Sequence, residues 1–174
     1  FFSLEMTKKE LFKRLMLSTG LITPAQMAGG GVDWRAYESA MGVVANENFM
    51  INDKSNTLED ICSKISTACM EKRCNIAYID YLGLVRIVGL KGMTQAQVIG
   101  VATQRLKNLA KDNGIPIVLL CQMNRDSAKD GRAPQLTDLR DSGNIEQDAD
   151  KVIMIPFSGR KGMPFMRKMG LEPT

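Results

Sequence analysis

Asn75-Ile76-Ala77-Tyr78-Ile79-Asp80 and Ile115-Pro116-Ile117-Val118-Leu119-Leu120-Cys121-Gln122 are the two stretches on which the fold turns. Each is a nearly unbroken apolar run that closes on a polar side chain. A strand with one wet face would alternate, whereas an unbroken run suits a strand covered on both faces of a parallel sheet. The segment between them has helical spacing. From Thr94 it places Val98, Ala102, Leu106 and Leu109 on one stripe, and it stops at Gly114, whose missing side chain suits a left-handed C-terminal cap. Strand, helix and strand in this order imply a right-handed crossover and an α/β layered domain.

Working outward, 1–4, 49–52 and 151–155 also read as strands. Thr7 is an N-cap candidate with Glu10 at capping-box spacing, and its helix carries Leu11, Leu15 and Ser18 on one face before Gly20 stops it. A second helix is predicted over 33–46. A third starts at Thr57, with Asp60 as its capping-box partner, and runs to about Lys72. Gly29-Gly30-Gly31 reads as a turn between helices. The chain shows no internal repeat. One core is expected over 1–155, with 156–174, rich in Gly, Pro, Met and basic residues, as a tail of no clear period.

Composition narrows the chemistry. The 174 residues are 44% hydrophobic, enough for one domain with an ordinary core. There is neither an apolar run of about 18 residues nor a basic, small-residue leader pattern at Phe1, so no membrane partner and a cytoplasmic location are expected. Cys62, Cys69, Cys74 and Cys121 lack paired zinc spacing and read as reduced structural thiols. With no histidine in the chain, Ser-His-Asp and Cys-His catalysis are excluded. Chemistry must therefore rest on carboxylates, lysine, arginine and bound ions. A net charge of +4 is compatible with a polyanionic partner without specifying one.

In a parallel sheet, ligands sit beyond the carboxyl ends of the strands. Three polar residues end predicted strands there: Glu5, Asp80 and Gln122. A carboxylate such as Asp80 could orient magnesium-bound water beside phosphates, or simply cap a turn. Glu5 could serve as general base, or sit before its helix for the dipole alone. Gln122 could sense a terminal phosphate, or satisfy backbone groups. Convergence on one sheet edge favours the first reading of each.

Phe2-Ser3-Leu4-Glu5-Met6, Ile79-Asp80-Tyr81-Leu82, Gln122-Met123-Asn124-Arg125 and the long segment Leu136-Thr137-Asp138-Leu139-Arg140-Asp141-Ser142-Gly143-Asn144-Ile145-Glu146-Gln147-Asp148-Ala149-Asp150 resemble, in order and spacing, successive motifs of DnaB-family replicative DNA helicases. The resemblance runs from Phe1 to about Ile155. It implies a RecA-like P-loop NTPase core, a mostly parallel sheet flanked by helices, within an ATP-dependent motor that unwinds DNA. It implies Glu5 as catalytic base, Asp80 as the Walker B carboxylate for magnesium, and Gln122 as the sensor joining phosphate state to DNA. It also implies that Arg140, Asp141 and Gly143 face single-stranded DNA. A Gly beside Ser and Arg lets amides approach a phosphate while the guanidinium forks onto its oxygens, although Asp138, Arg140 and Asp141 could equally form a solvated turn. Two basic stretches, 86–93 and 125–132, the second beginning at Arg125, suit loops that track a DNA backbone.

Implied for the intact parent are ATP and Mg2+, a homo-hexamer, and primase and a helicase loader as partners. The 174 residues contain no GxxxxGK(S/T) phosphate loop, so this chain alone is expected neither to bind nor to hydrolyse ATP. The primase-interacting domain and linker helix have no counterpart here, so ring assembly by this chain alone is not expected. After Ile155 the basic-finger pattern is poorly matched, with Arg160, Lys161 and Arg167 the available cations. Two other readings are a catalytically dead binding or assembly module of prophage origin and another RecA-like recombination or repair ATPase. The segment from Leu136 to Asp150 argues against the second.

Overall fold

The structure, a computed structural model, describes residues 1–31, 33–45, 48–89, 92–123, 135–139 and 142–155. In chain order the elements are β1 (Phe2–Ser3), α1 (Lys8–Ser18), α2 (Pro24–Met27), α3 (Trp34–Ala45), α4 (Leu58–Met70), β2 (Ala77–Asp80), α5 (Gln95–Asn113), β3 (Ile117–Leu119) and α6 (Ser142–Asp148), with 3-10 turns at Leu82–Leu84 and Leu136–Asp138. The three strands form one parallel sheet in the order β1-β2-β3. Phe2 pairs with Ile79 and Ser3 with Asp80, while Ala77, Tyr78 and Ile79 pair with Ile117, Val118 and Leu119. This is the expected RecA-like α/β arrangement.

Helix boundaries follow local chemistry. Thr7 caps α1 in a full capping box with Glu10, and Thr94 does the same for α5 with Gln97. Gly114 closes α5 at φ 64°, the left-handed conformation expected of it. Thr57 caps α4 through the Asp60 amide, but the predicted return bond from Asp60 does not form. The Asp60 carboxylate is instead taken by Lys64 Nζ at 2.8 Å, and α4 stops at Met70 rather than near Lys72. Helix α2 is an addition to the predicted elements. Its signal is Thr23-Pro24-Ala25-Gln26, a capping box with proline in the first turn, and the glycine turn that follows has Gly29 and Gly31 at positive φ.

The predicted strands at 1–4, 75–80 and 115–122 shorten to β1, β2 and β3, and the other two are not strands. The 49–52 segment contributes only a parallel bridge between Asn52 and Phe2, and 151–155 is not a strand; Ile153 and Ile155 are 85% and 83% exposed. A strand needs a neighbour to satisfy its ladder, and among the described residues none pairs with this segment.

The main core lies on one face of the sheet. Leu58, Ile61 and Ile65 of α4 meet Ala77 and Ile79 of β2 and Ile99, Ala102 and Leu106 of α5. Alternation sends Tyr78 and Val118 to the other face, where the Phe1 ring lies 6.1 Å from Tyr78 and Val118 and Leu120 remain 38% exposed. Coverage of both faces, expected from the unbroken apolar runs, is therefore only partial among the described residues. A second, smaller cluster centres on Met16, Ile22 and Ala40, between α1 and α3. With each large side chain worth about 1.5–3 kcal/mol on full burial, this cluster is the weaker of the two.

Candidate functional site

Parallel pairing brings the three predicted strand-end residues to one rim. Ser3 and Asp80 are register partners, and Leu120 N donates to Ile79 O at 3.0 Å, so Glu5, Asp80 and Gln122 all leave the carboxyl edge of the same sheet. The rim is fastened by further main-chain bonds: Leu4 N to Asp80 O at 2.7 Å and Leu82 N to Leu120 O at 2.9 Å. Glu5 and Gln122 are exposed, while Asp80 is half-buried between them. Asp80 and Tyr81 are joined by a cis peptide bond.

Glu5 owes its placement to a neighbour that the sequence did not single out. Ser3 is 1% exposed, and its hydroxyl donates to the Met6 carbonyl at 2.7 Å, closing the bend that carries Glu5. No local pattern marks this serine, since only pairing with Asp80 turns it inward. On the next strand, Cys121 is half-buried, and burial pushes its thiol pKa up, as it does for Cys62. All four cysteines are free, as expected.

Behind the rim lies a cavity of about 320 Å³, lined by Tyr81, Leu82, Gln95, Ile99, Gln122 and Ile145, among others. It links the end of β2, the end of β3, the start of α5 and the middle of α6. Just past Gln122, Met123 forms an antiparallel bridge with Leu139. The sensor candidate and the segment beginning at Leu139 are thus adjacent in space although separated in sequence. Asp138 is 5% exposed and accepts from Gln135 N at 2.8 Å, which removes it from the solvated-turn alternative. Gly143 lies in the first turn of α6; Arg125, Arg140 and Asp141, like Arg160, Lys161 and Arg167, lie outside the described residues.

The 86–93 stretch is less free at its start than a tracking loop would be. Arg86 forms a parallel bridge with Thr57, its amide donates to Asn56 O at 2.9 Å, and its carbonyl accepts from Leu58 N at 2.7 Å. The main chain at Arg86 is fixed, and Lys91 lies outside the described residues. No helix among the described residues is long and apolar enough to cross a membrane. None of those residues forms a His/Cys/Asp/Glu group able to cage a metal by itself. A lone half-buried carboxylate at the rim fits an ion held mainly by phosphate and water, the usual way magnesium is bound beside nucleotides.

Comparison with known proteins agrees with the fold. Residues 1–161 match the model of the DnaB-like helicase C terminal domain. A probable replicative DNA helicase of Trieres chinensis is 35% identical over 161 residues, covering 89% of this chain and 35% of that protein. The replicative DNA helicase DnaB of Geobacillus stearothermophilus is 31% identical over 159 residues, again with 35% of the relative covered. The chain therefore spans about a third of the length of these curated relatives. Among solved structures, one described as an ATPase domain superposes with a TM-score of 0.74 at 32% identity, covering 86% of this chain and 55% of that one. A DnaB-like replicative helicase described with its interactions with primase gives 0.73 at 31%, covering 86% and 38%.

Proposed function

The chain belongs to the DnaB-like helicase C-terminal domain family, and from that premise we propose that it is the motor portion of a cytoplasmic, ATP-dependent replicative helicase that moves along single-stranded DNA. The observation that carries the reading is the common rim of Glu5, Asp80 and Gln122, with Gln122 bordering the cavity that Ile145 of α6 also lines. The match over 1–161 favours this over a recombination or repair ATPase.

On this reading, bound Mg-ATP supplies a phosphoanhydride whose hydrolysis drives movement. Asp80 would accept hydrogen bonds from magnesium-bound water. The Glu5 carboxylate would take a proton from the attacking water, an acceptor role suited to its exposed position just beyond β1. Gln122 would report the phosphate state through Met123 to Leu139, and so to Arg140, Asp141 and Gly143, which with Arg125 would hold the DNA backbone. In the parent the motor would work as a homo-hexamer, with primase and a loader as partners. The 174-residue chain by itself, having no GxxxxGK(S/T) segment, would bind Mg-ATP negligibly.

A graft tests the whole reading. Residues 1–155 are exchanged for the matching part of Geobacillus stearothermophilus DnaB, behind that protein's own phosphate loop. DNA-stimulated ATP hydrolysis is expected, and Glu5→Gln should lower it by about 10²–10⁴-fold. A graft in which Glu5→Gln hydrolyses at the parental rate sinks the catalytic assignment. One that holds DNA yet is inert with Glu5 intact identifies a binding module instead.

A further inference from the structure

Helix α6 has only seven residues, too short to hold its shape without tertiary contacts. Its docking onto α5 is specific. Asn144 and Asp148, spaced i and i+4, share one face of α6 and meet Gly100 and Thr103 of α5. A Cβ built at Gly100 would come 2.5 Å from Asn144 Nδ2 and 2.9 Å from its Cγ, and Asn144 Nδ2 donates to Ala96 O at 3.4 Å. Thr103 is 4% exposed, and its Oγ1 donates to Asp148 Oδ2. Gly100 O lies 3.1 Å from the same hydroxyl. A hydroxyl has one proton, and the carboxylate is the stronger acceptor for it. Just beyond the helix, Lys107 pairs with Asp150, and Ile145 is buried in the main core.

We propose that Gly100 and Thr103 of α5 are positioning residues that fix α6, through Asn144 and Asp148, and so set where Gly143 meets single-stranded DNA. The proposal rests on the DNA-contact reading given above. The reason for the residue types is steric and electrostatic. Glycine at 100 lets α6 approach α5 closely, and a buried hydroxyl at 103 satisfies a carboxylate whose other side faces solvent. A larger residue at 100 must push the Asn144 side chain off α5; an apolar one at 103 leaves Asp148 without its inner partner.

Hydrogen–deuterium exchange on the 174-residue chain tests the docking without any ligand. Thr103→Val keeps the shape and removes the O–H, and it should speed exchange of α6 amides about tenfold while leaving α4 and β2 unchanged. Thr103→Ser, which keeps the hydroxyl, should restore protection, and Gly100→Ala should behave like Thr103→Val. Unchanged α6 exchange in both Thr103→Val and Gly100→Ala overturns the proposal, as does an equal loss of protection throughout the chain. Anisotropy with a labelled oligo-dT strand separates this from the DNA reading. Thr103→Val and Arg140→Ala are each expected to weaken binding by about three- to tenfold, with Thr103→Ser unaffected. Weakening by Arg140→Ala alone rejects the positioning role and keeps the DNA contact. If the unsubstituted chain does not bind, or Arg140→Ala changes nothing, the DNA contact is rejected and the exchange result alone judges the docking.

Discussion

At the scale of single residues, the side chains that hold the site are not those that would perform its chemistry. Ser3 sets the bend bearing Glu5, and Gly114 ends α5 so that β3 can begin. Gly114 has φ 64° and open space around the position of a Cβ, so Gly114→Ala incurs only the left-handed backbone penalty. A loss of about 1 kcal/mol in chemical denaturation is expected, and no loss would mean that the cap relaxes freely. Asp60 shows how a local charge acts with pH. Lys64, and then Ser55, hold its carboxyl below the usual range. A depressed acid contributes stability above its unfolded value, and that contribution disappears as pH falls through the folded one. Both partners are 44% exposed, so Lys64→Ala should lower the melting temperature at pH 7 by no more than about 2 °C, with the difference vanishing near pH 2. A gap persisting in acid would point to lost packing rather than charge.

Among elements, the two hydrophobic clusters divide the molecule into parts of unequal strength. Helices α1 and α3 share a small core around Met16, Ile22 and Ala40, whereas α4, α5 and the sheet share a larger one. Met16→Ala removes a side chain that is 1% exposed and should cost about 2–4 kcal/mol locally. Amide exchange should therefore quicken in α1 and α3 while α4 and β2 keep their protection. Equal loss everywhere would show one cooperative core. The starts of α1, α4 and α5 were legible because Thr7, Thr57 and Thr94 act through neighbours three residues away. The 151–155 strand was misjudged because apolar content says that a segment wants burial, not that a partner strand stands beside it.

For the molecule as a whole, the proposed grip of a chain of net charge +4 on DNA phosphates would be salt-dependent. Binding to oligo-dT should weaken steeply between low and physiological salt, and Arg140→Ala should reduce the log–log slope by about 1. A slope that ignores the substitution would remove Arg140 from the interface. Calorimetry with Mg-ATP on the same chain should show no micromolar site, and a clear isotherm would mean that the rim residues bind phosphate without a phosphate loop.

Sequence alone determined the α/β class, the caps at Thr7 and Gly114 and the identity of the three strand-end residues, because apolar runs, capping spacings and motif order are local properties of a chain. It also carried the family, since the segment from Leu136 to Asp150 is long enough to be distinctive. Only the tertiary structure decided that Glu5, Asp80 and Gln122 share one rim, that Ser3 turns inward, and that Thr103 meets Asp148. Each of those facts depends on register between distant segments, and register is settled by which hydrogen bonds and buried surfaces can be satisfied together.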